Sequence, residues 1–144
     1  MPKYSEKKIL NYSNEQIFDL VSDVESYPDF LPWCVDCKII SKTNTGFNAN
    51  LSIGFNLLRE SFISEVSLSK PDSIIVNYKD GPFKYLTNTW SFESFQNSNQ
   101  TQVDFFIDFE FKSILLDKLL GVWFEEAVKK MIFAFEERAD ELYG

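Results

Sequence analysis

Apolar and polar residues alternate along much of the chain with a period of two, which is the period of a β-strand. One such run places apolar residues at Phe47, Ala49, Leu51, Ile53 and Phe55. A later run places them at Val103, Phe105, Ile107, Phe109 and Phe111. Because alternate side chains of a strand point to opposite faces, each run predicts a strand with one apolar face.

Turn residues divide residues 35–111 into a series of short strands. The turn signals are Asn-Thr-Gly at residues 44–46, Lys-Pro-Asp at 70–72, Asp-Gly-Pro at 80–82 and Asn-Ser-Asn at 97–99. Strands that are joined by such short turns pair antiparallel. Together with a first strand over residues 3–11, they predict an antiparallel sheet of six to seven strands.

A helical pattern follows the first strand. Ser13 and Gln16 have the spacing of a capping box, in which each residue caps the other's backbone at the start of a helix. An apolar stripe with helical spacing follows between residues 17 and 24. Pro28 and Pro32 interrupt any long helix, so we expect a second short helix or turn over residues 25–31.

The C-terminal part of the chain, residues 114–142, predicts one long helix. Its apolar stripe consists of Leu120, Phe124, Ala127, Val128, Met131, Phe135, Ala139 and Leu142. Four acidic residues crowd its C-terminal end, where the helix dipole disfavours anions, and a solvated face is the one explanation that the sequence offers. One helix covers the apolar face of such a sheet only if the sheet curls around it, which leaves space for a ligand. The expected fold is a single α+β domain over residues 1–144.

Composition and charge exclude several classes of function. The formal net charge is −8 and the basic residues form no stripe of the kind that nucleic-acid-binding proteins carry, so we expect no DNA binding. The absence of histidine removes the commonest general base and metal ligand. No apolar run is long enough to cross a bilayer, so any membrane contact is expected to be peripheral. The 15 phenylalanines indicate either a ring-rich core or rings that line a ligand site.

The two cysteines, Cys34 and Cys37, have the Cys-x-x-Cys spacing of metal sites and redox pairs. A structural zinc site needs about four ligands, and the chain has no further cysteine and no histidine. A redox pair sits at the start of a helix, whereas these residues lead into a predicted strand. We therefore expect two packing cysteines whose side chains point to opposite faces of the strand.

Several segments resemble the coenzyme Q-binding START-domain family, which also includes the bacterial ribosome-association toxin. The most specific is Tyr-Pro-Asp-Phe-Leu-Pro-Trp-Cys at residues 27–34, which is similar to the family's Y-x-x-F-x-P-W-C signature. Asp-Gly-Pro-Phe at residues 80–83, Trp-Ser-Phe at 90–92 and the strand at 103–111 are similar to further family patterns. The resemblance covers nearly the whole chain. It implies the helix-grip, or START-like, fold, with two short helices after the first strand.

The resemblance implies a non-catalytic protein that holds an isoprenoid quinone (ubiquinone) or a related lipid and supports its delivery or use in respiration. No cofactor is implied besides this bound lipid. Two alternatives stay open: a toxin-like protein that binds the large ribosomal subunit and blocks subunit association, and a polyketide cyclase-like enzyme. The chain begins almost directly with the domain, so we expect a bacterial protein, in the cytoplasm or at the inner face of the inner membrane.

The residues expected to form the hydrophobic cavity come from the family motifs, the sheet and the last helix. They are Trp33, Phe55, Phe83, Trp90, Phe105, Ile107, Phe109, Leu120, Phe124 and Val128. For any one of them, ordinary core packing is the competing interpretation. Phe133 falls among charged residues on the polar side of the last helix and is a candidate for membrane or partner contact. If the protein is a cyclase, Glu65 is the best acid candidate, provided that its face of the strand points inward.

Overall fold

The computed structural model of the protein describes residues 3–55 and 58–144, without the side chains of residues 55, 58, 97 and 98. These residues form seven strands, two α-helices and one 3-10 helix. The strands are β1 (Lys3–Leu10), β2 (Cys34–Lys42), β3 (Gly46–Phe55), β4 (Leu58–Ser69), β5 (Ser73–Asp80), β6 (Phe83–Phe95) and β7 (Asn97–Phe111). The helices are α1 (Asn14–Ser22), the 3-10 helix (Val24–Asp29) and α2 (Ile114–Tyr143). The predicted α+β, helix-grip architecture is confirmed.

The strands form one antiparallel sheet in the order β1-β7-β6-β5-β4-β3-β2. Strands β2 to β7 follow one another as a meander because each is joined to the next by a short turn. β1 pairs with β7 and forms one edge of the sheet, so that Tyr4 lies opposite Ile107, and β2 forms the other edge. Register shifts interrupt the β2–β3, β4–β5 and β6–β7 ladders. Such bulges bend a strand, which helps the sheet to curve towards the long helix.

Three of the four predicted turns fall where the sequence placed them, and the fourth is shifted. β6 ends at Phe95 and β7 already begins at Asn97, so the connection is Gln96 alone, with a φ of 59°. Asn-Ser-Asn at residues 97–99 is therefore strand and not turn. Its turn-forming composition is overridden because β6 and β7 pair along nearly their whole length, from Phe83 opposite Phe111 to Phe95 opposite Asn97.

The N-terminal helices form as the sequence predicts. The capping box is present: the Gln16 backbone N–H donates to Ser13 Oγ at 3.2 Å, and the Ser13 backbone N–H donates to Gln16 Oε1 at 3.0 Å. The apolar stripe of α1 is buried. The second short helix is the 3-10 helix Val24–Asp29. It begins one residue before the start of the predicted range 25–31 and ends two residues before the end of that range. The backbone N–H groups of Phe30 and Leu31 then donate to the carbonyl oxygen of Tyr27 and stop the helix.

Helix α2 packs its C-terminal half against the concave face of the sheet. Val128, Met131, Phe135 and Ala139 are buried, as the apolar stripe predicts. Leu142 is a correction, because 52% of its surface is exposed. The neighbouring residue Tyr143 takes its place, since its ring packs 6.0 Å from that of Tyr12.

Two of the four acidic residues at the C-terminal end of α2 have partners on the N-terminal part of the chain. Glu136 forms an ion pair with Lys8 of β1 at 2.5 Å. The hydroxyl of Tyr12 donates to the carboxylate of Asp140. These contacts hold the C-terminal half of α2 to the β1 edge of the sheet and offset the unfavourable helix dipole.

Candidate ligand cavity

A cavity of about 220 Å³ lies between the concave face of the sheet and helix α2. Strands β2 to β7 form its floor, α2 forms its roof, and the two N-terminal helices with the loop after them close one side. The lining residues that the structure describes include no Asp, Glu, Lys or Arg. Such a wall suits apolar groups, because it gains free energy chiefly by removing apolar surface from water.

The structure brings nine of the ten residues predicted for the cavity to its wall. These are Trp33, Phe83, Trp90, Phe105, Ile107, Phe109, Leu120, Phe124 and Val128. The side chain of Phe55 lies outside the described residues. Contact between these side chains and a ligand stays a prediction.

The aromatic rings form two clusters that pack on each other and also face the cavity. In one cluster the Trp90 ring packs edge-on against Phe105 at 4.8 Å and Phe135 at 5.2 Å. In the other, Phe109 packs edge-on against Phe124 of α2 at 4.8 Å. Edge-to-face pairs hold rings in defined orientations. The same side chains thus build the core and give the cavity a rigid aromatic wall.

Polar atoms on the cavity wall are few, and most are bound to the protein. The indole N–H of Trp90 donates to Asn88 Oδ1 at 3.1 Å, and Asn88 Nδ2 donates to the carbonyl oxygen of Phe106 at 2.9 Å. The hydroxyl of Tyr27 donates to the carbonyl oxygen of Val21. Burial raises the pKa of the Tyr27 phenol, so this group stays a neutral donor.

Cys34 and Cys37 are both buried in the same core cluster, which confirms two packing cysteines and corrects the expectation that they lie on opposite faces of the strand. The sequence placed them on opposite faces of a regular strand, but a register shift between Cys34 and Asp36 changes the alternation of β2. Burial raises the pKa of the Cys34 thiol to about 11 and that of Cys37 to about 12. Both are free thiols, and Cys37 lines the cavity.

Glu65 is also corrected as an acid candidate. The inward residues of β4 are Phe62, Ser64 and Val66, which all line the cavity. Glu65 lies between Ser64 and Val66 and therefore points to the other face of the sheet. The acid required by the cyclase interpretation is thus not supplied by this residue.

The N-terminal half of α2 exposes apolar side chains beside the cavity. Ile114, Leu115, Leu119, Val122 and Trp123 are all about half exposed or more. Trp123 also lines the cavity, so the exposed face and the cavity meet at this residue. Phe133, predicted to contact a membrane or partner, is 57% exposed. No helix in the described residues has the length and apolar composition needed to span a membrane.

Sequence reasoning missed several lining residues, among them Ser64, Asn88 and Trp123. Ser64 did carry a signal, because it is the polar residue in the apolar phase of its strand. Trp123 carried a weaker one, since it lies three residues after Leu120 on the helix. Asn88 carried the same signal as Ser64, because it is the polar residue between Leu86 and Trp90 in the apolar phase of its strand.

Comparison with solved structures defines the class of fold. A START superfamily protein from Mycobacterium smegmatis superposes with a TM-score of 0.84 at 22% identity, covering 97% of this chain and 98% of that chain. An 18 kDa protein from Caulobacter crescentus superposes with a TM-score of 0.80 at 38% identity, covering 100% and 99% of the two chains. The protein is thus of the START-like class, in which a curved sheet encloses a long helix.

The family follows from the sequence comparison. A family model described as "Polyketide cyclase / dehydrase and lipid transport" matches residues 10–136. Ribosome association toxin RatA of Rickettsia prowazekii is 42% identical over 99% of this chain and 99% of its own length. Coenzyme Q-binding protein COQ10 homolog B, mitochondrial, of Xenopus laevis is 37% identical over 99% of this chain, which spans 59% of that relative's length. The chain belongs to the polyketide cyclase/dehydrase and lipid transport family, and the resemblance noted in its sequence is confirmed.

Proposed function

We propose that the protein binds an isoprenoid quinone, ubiquinone or a similar lipid, in the cavity between the sheet and helix α2. The observation that carries this proposal is the wall of the cavity, which is apolar and has no charged residue among those that line it. The 37% identity to a protein named as coenzyme Q-binding supports the choice of a quinone. Each buried methylene of an isoprenoid tail would contribute about 0.8 kcal/mol to binding.

The size of the cavity limits how the lipid would be held. An engineered cavity of about 150 Å³ takes up benzene, whereas pockets for drug-sized ligands measure about 300–1,000 Å³. The volume of about 220 Å³ therefore suits a quinone ring or a short part of the tail. The rest of a long tail would leave the cavity beside Trp123, along the exposed apolar face of α2.

This exposed face supports a second part of the proposal, which is delivery of the lipid at a membrane surface. Leu115, Leu119 and Val122 follow one another at helical spacing on one side of α2, and Lys118 is exposed next to them. Apolar residues with an adjacent lysine suit a helix that lies in the interface of a bilayer. Phe133 lies on the same side about three turns beyond Val122 and would extend the contact.

Mass spectrometry of the purified protein tests the lipid proposal. The protein is produced in a quinone-producing bacterium, extracted with organic solvent, and the extract is analysed for bound lipid. We expect a quinone in near-stoichiometric amount, recovered with its mass unchanged because the described cavity wall carries no acid–base pair. A blank extract, repeated after quinone is added during purification, would refute lipid binding. A quinone recovered with an altered mass would instead support an enzyme.

Ribosome association is the second candidate function. It is favoured by the relatives, since the toxin named RatA from Rickettsia prowazekii matches over nearly its full length. Against direct binding to ribosomal RNA stands the net charge of −8. Sucrose-gradient profiles of ribosomal subunits, with and without the protein, test this function. A shift from joined ribosomes to free subunits would establish it, and an unchanged profile at a several-fold excess of protein would exclude it.

A further inference from the structure

One hydroxyl group faces the cavity from the middle of the sheet. Ser64 lies on β4 with only 5% of its surface exposed, and it lines the cavity between Phe62 and Val66. Ala49, which is opposite Ser64 in the β3–β4 ladder, also lines the cavity. Both side chains are small, so the free space reaches down to the sheet at this point. Ser64 is thus a polar group in an otherwise apolar stretch of wall.

The Ser64 hydroxyl differs from the side-chain N–H and phenol groups of Asn88, Trp90 and Tyr27 in having no hydrogen-bond partner. Asn88, Trp90 and Tyr27 each form a hydrogen bond within the protein. In the part of the chain that the structure describes, the Ser64 hydroxyl forms none. The hydroxyl faces the cavity, so its hydrogen bond is available to whatever occupies that space. A wholly apolar occupant would leave it without a partner, which is unfavourable.

We propose that the Ser64 hydroxyl is the head-group contact of the bound lipid and donates a hydrogen bond to a carbonyl oxygen of its ring. This inference rests on the proposed function and adds the chemistry of the ligand. A hydroxyl donates to neutral and charged oxygens alike, but the described cavity wall has no cation to balance a buried carboxylate or phosphate, which favours a neutral oxygen. The selected ligand is therefore a lipid with a carbonyl-bearing ring and an apolar tail. Fatty acids and phospholipid head groups are disfavoured.

Three substitutions at Ser64 distinguish the effect of the hydroxyl from the effect of side-chain volume. Ser64→Ala removes the hydroxyl, while Ser64→Thr and Ser64→Val add nearly the same volume and differ chiefly in whether the hydroxyl is kept. The ligand is a ubiquinone with two isoprene units, added to the purified protein. All three tryptophans of the chain line the cavity, so quenching of their fluorescence by the quinone reports binding. The same tail without the quinone ring, used as a competitor, reports binding of the hydrocarbon part alone.

We expect the dissociation constant of the quinone to rise about two- to twelve-fold in Ser64→Ala, and by the same factor between Ser64→Thr and Ser64→Val, which corresponds to one neutral hydrogen bond. Affinity for the tail alone should stay unchanged or increase in Ser64→Ala. The denaturation midpoint of the ligand-free protein should not fall, because the wild-type hydroxyl has no partner to lose.

Two results would overturn the inference. Equal quinone affinity in the Thr and Val variants would show that the hydroxyl makes no contact with the ring. A lower denaturation midpoint in Ser64→Ala would show that the hydroxyl is structural. Failure of the wild-type protein to bind quinone is a different outcome, because it refutes the proposed function itself.

Discussion

The indole N–H of Trp90 donates a hydrogen bond to the side-chain oxygen of Asn88 at 3.1 Å, and both residues line the cavity. The two residues lie on β6 two positions apart, and Asn88 also donates to the carbonyl oxygen of Phe106 on the neighbouring strand β7. The Asn88 side-chain amide thus accepts a hydrogen bond from the Trp90 indole and donates one to the backbone of β7, at the floor of the apolar cavity. The pair keeps the orientation of Trp90 constant while leaving the cavity wall without an exposed donor at this point.

Replacing Asn88 by alanine is therefore expected to destabilise the fold. Asn88→Ala leaves the Trp90 N–H without an acceptor in an apolar environment, at a cost of about 1–3 kcal/mol. The free energy of unfolding, obtained from urea denaturation, measures the effect. Asn77→Ala is the matched control, because Asn77 is exposed on β5 and should change stability by less than about 0.5 kcal/mol. Equal effects at the two positions would show that the Trp90–Asn88 bond contributes no stability.

Filling the cavity should remove lipid binding and leave the outer surface intact. Val76 lines the cavity from β5, whereas Ile75 on the same strand is 40% exposed on the other face. We expect Val76→Phe to lose most of the lipid that copurifies with the wild-type protein, and Ile75→Phe to retain it. The amount of lipid per protein is measured by mass spectrometry, with thermal denaturation confirming that both variants fold.

If Val76→Phe keeps a full complement of lipid, the ligand lies elsewhere. Ribosome profiles that change with Ile75→Phe and not with Val76→Phe would favour the second candidate function.

Membrane binding should depend on the exposed face of α2. Leu119 on this face is 53% exposed, and Ile40 on the edge strand β2 is 54% exposed. We expect Leu119→Gln to weaken sedimentation with vesicles that contain anionic lipid about five-fold or more, because insertion of the leucine contributes about 1 kcal/mol or more. Ile40→Gln should have no effect, although it removes an equally exposed apolar side chain. Phe133→Gln tests whether the contact extends along the helix. The same loss in Leu119→Gln and Ile40→Gln would indicate non-specific adsorption.

The two buried thiols should make stability depend on pH in the alkaline range. Burial raises the pKa of Cys34 from 9.0 to about 11 and that of Cys37 from 9.0 to about 12. Well below pH 9 both thiols are protonated whether the chain is folded or unfolded, so their contribution is constant. Between pH 9 and 12 the unfolded chain releases these protons while the folded protein keeps them. The free energy of unfolding therefore falls as the pH rises.

Denaturation of the wild-type protein and of the Cys34→Ala/Cys37→Ala variant at pH 8 and pH 10.5 measures this effect. Other groups also titrate in this range, so the comparison uses the difference between the two proteins. We expect the wild-type protein to lose more stability than the variant. Alkylation by iodoacetamide should be slow in the folded protein at pH 8 and fast in urea. Equal alkylation rates with and without urea would contradict the burial of the thiols.

Gly121 offers a stabilising substitution in the exposed half of α2. It lies in the interior of a helix, where glycine is about 0.5–1 kcal/mol less favourable than alanine. A Cβ at this position would meet no atom within 4 Å in the described residues, so no steric reason requires glycine. We expect Gly121→Ala to raise the free energy of unfolding by about 0.5–1 kcal/mol. Gly46→Ala is the contrasting variant, because its Cβ would overlap the carbonyl oxygen of Val66 and should lower stability.

Features that depend only on residues close together in the sequence could be predicted from it. The capping box of Ser13 and Gln16, the strands around Phe47 and Phe105 and the helix from residue 114 all appear as expected. Nine of the residues predicted to bind the ligand lie on the cavity wall, because strand and helix periods determine which side chains share a face. Their contact with a ligand stays a prediction.

Three errors arise where contacts between distant segments change a local pattern. A register shift in β2 places both Cys34 and Cys37 in the buried interior. Pairing of β6 with β7 converts the Asn-Ser-Asn turn into strand. At the end of α2, packing of Tyr143 against Tyr12 leaves Leu142 exposed. None of these contacts can be read from the residues on either side of the position concerned.

The same distinction explains the cavity. Periodicity shows which face of each strand and helix is apolar, because it follows from the backbone geometry of a single element. It does not show how far the two apolar faces lie apart. That distance depends on the bulges that bend the sheet and on the Lys8–Glu136 and Tyr12–Asp140 contacts that hold α2 at the β1 edge. A space of about 220 Å³ remains because these non-local contacts position the helix, and because small residues such as Ala49 and Ser64 face it from the sheet.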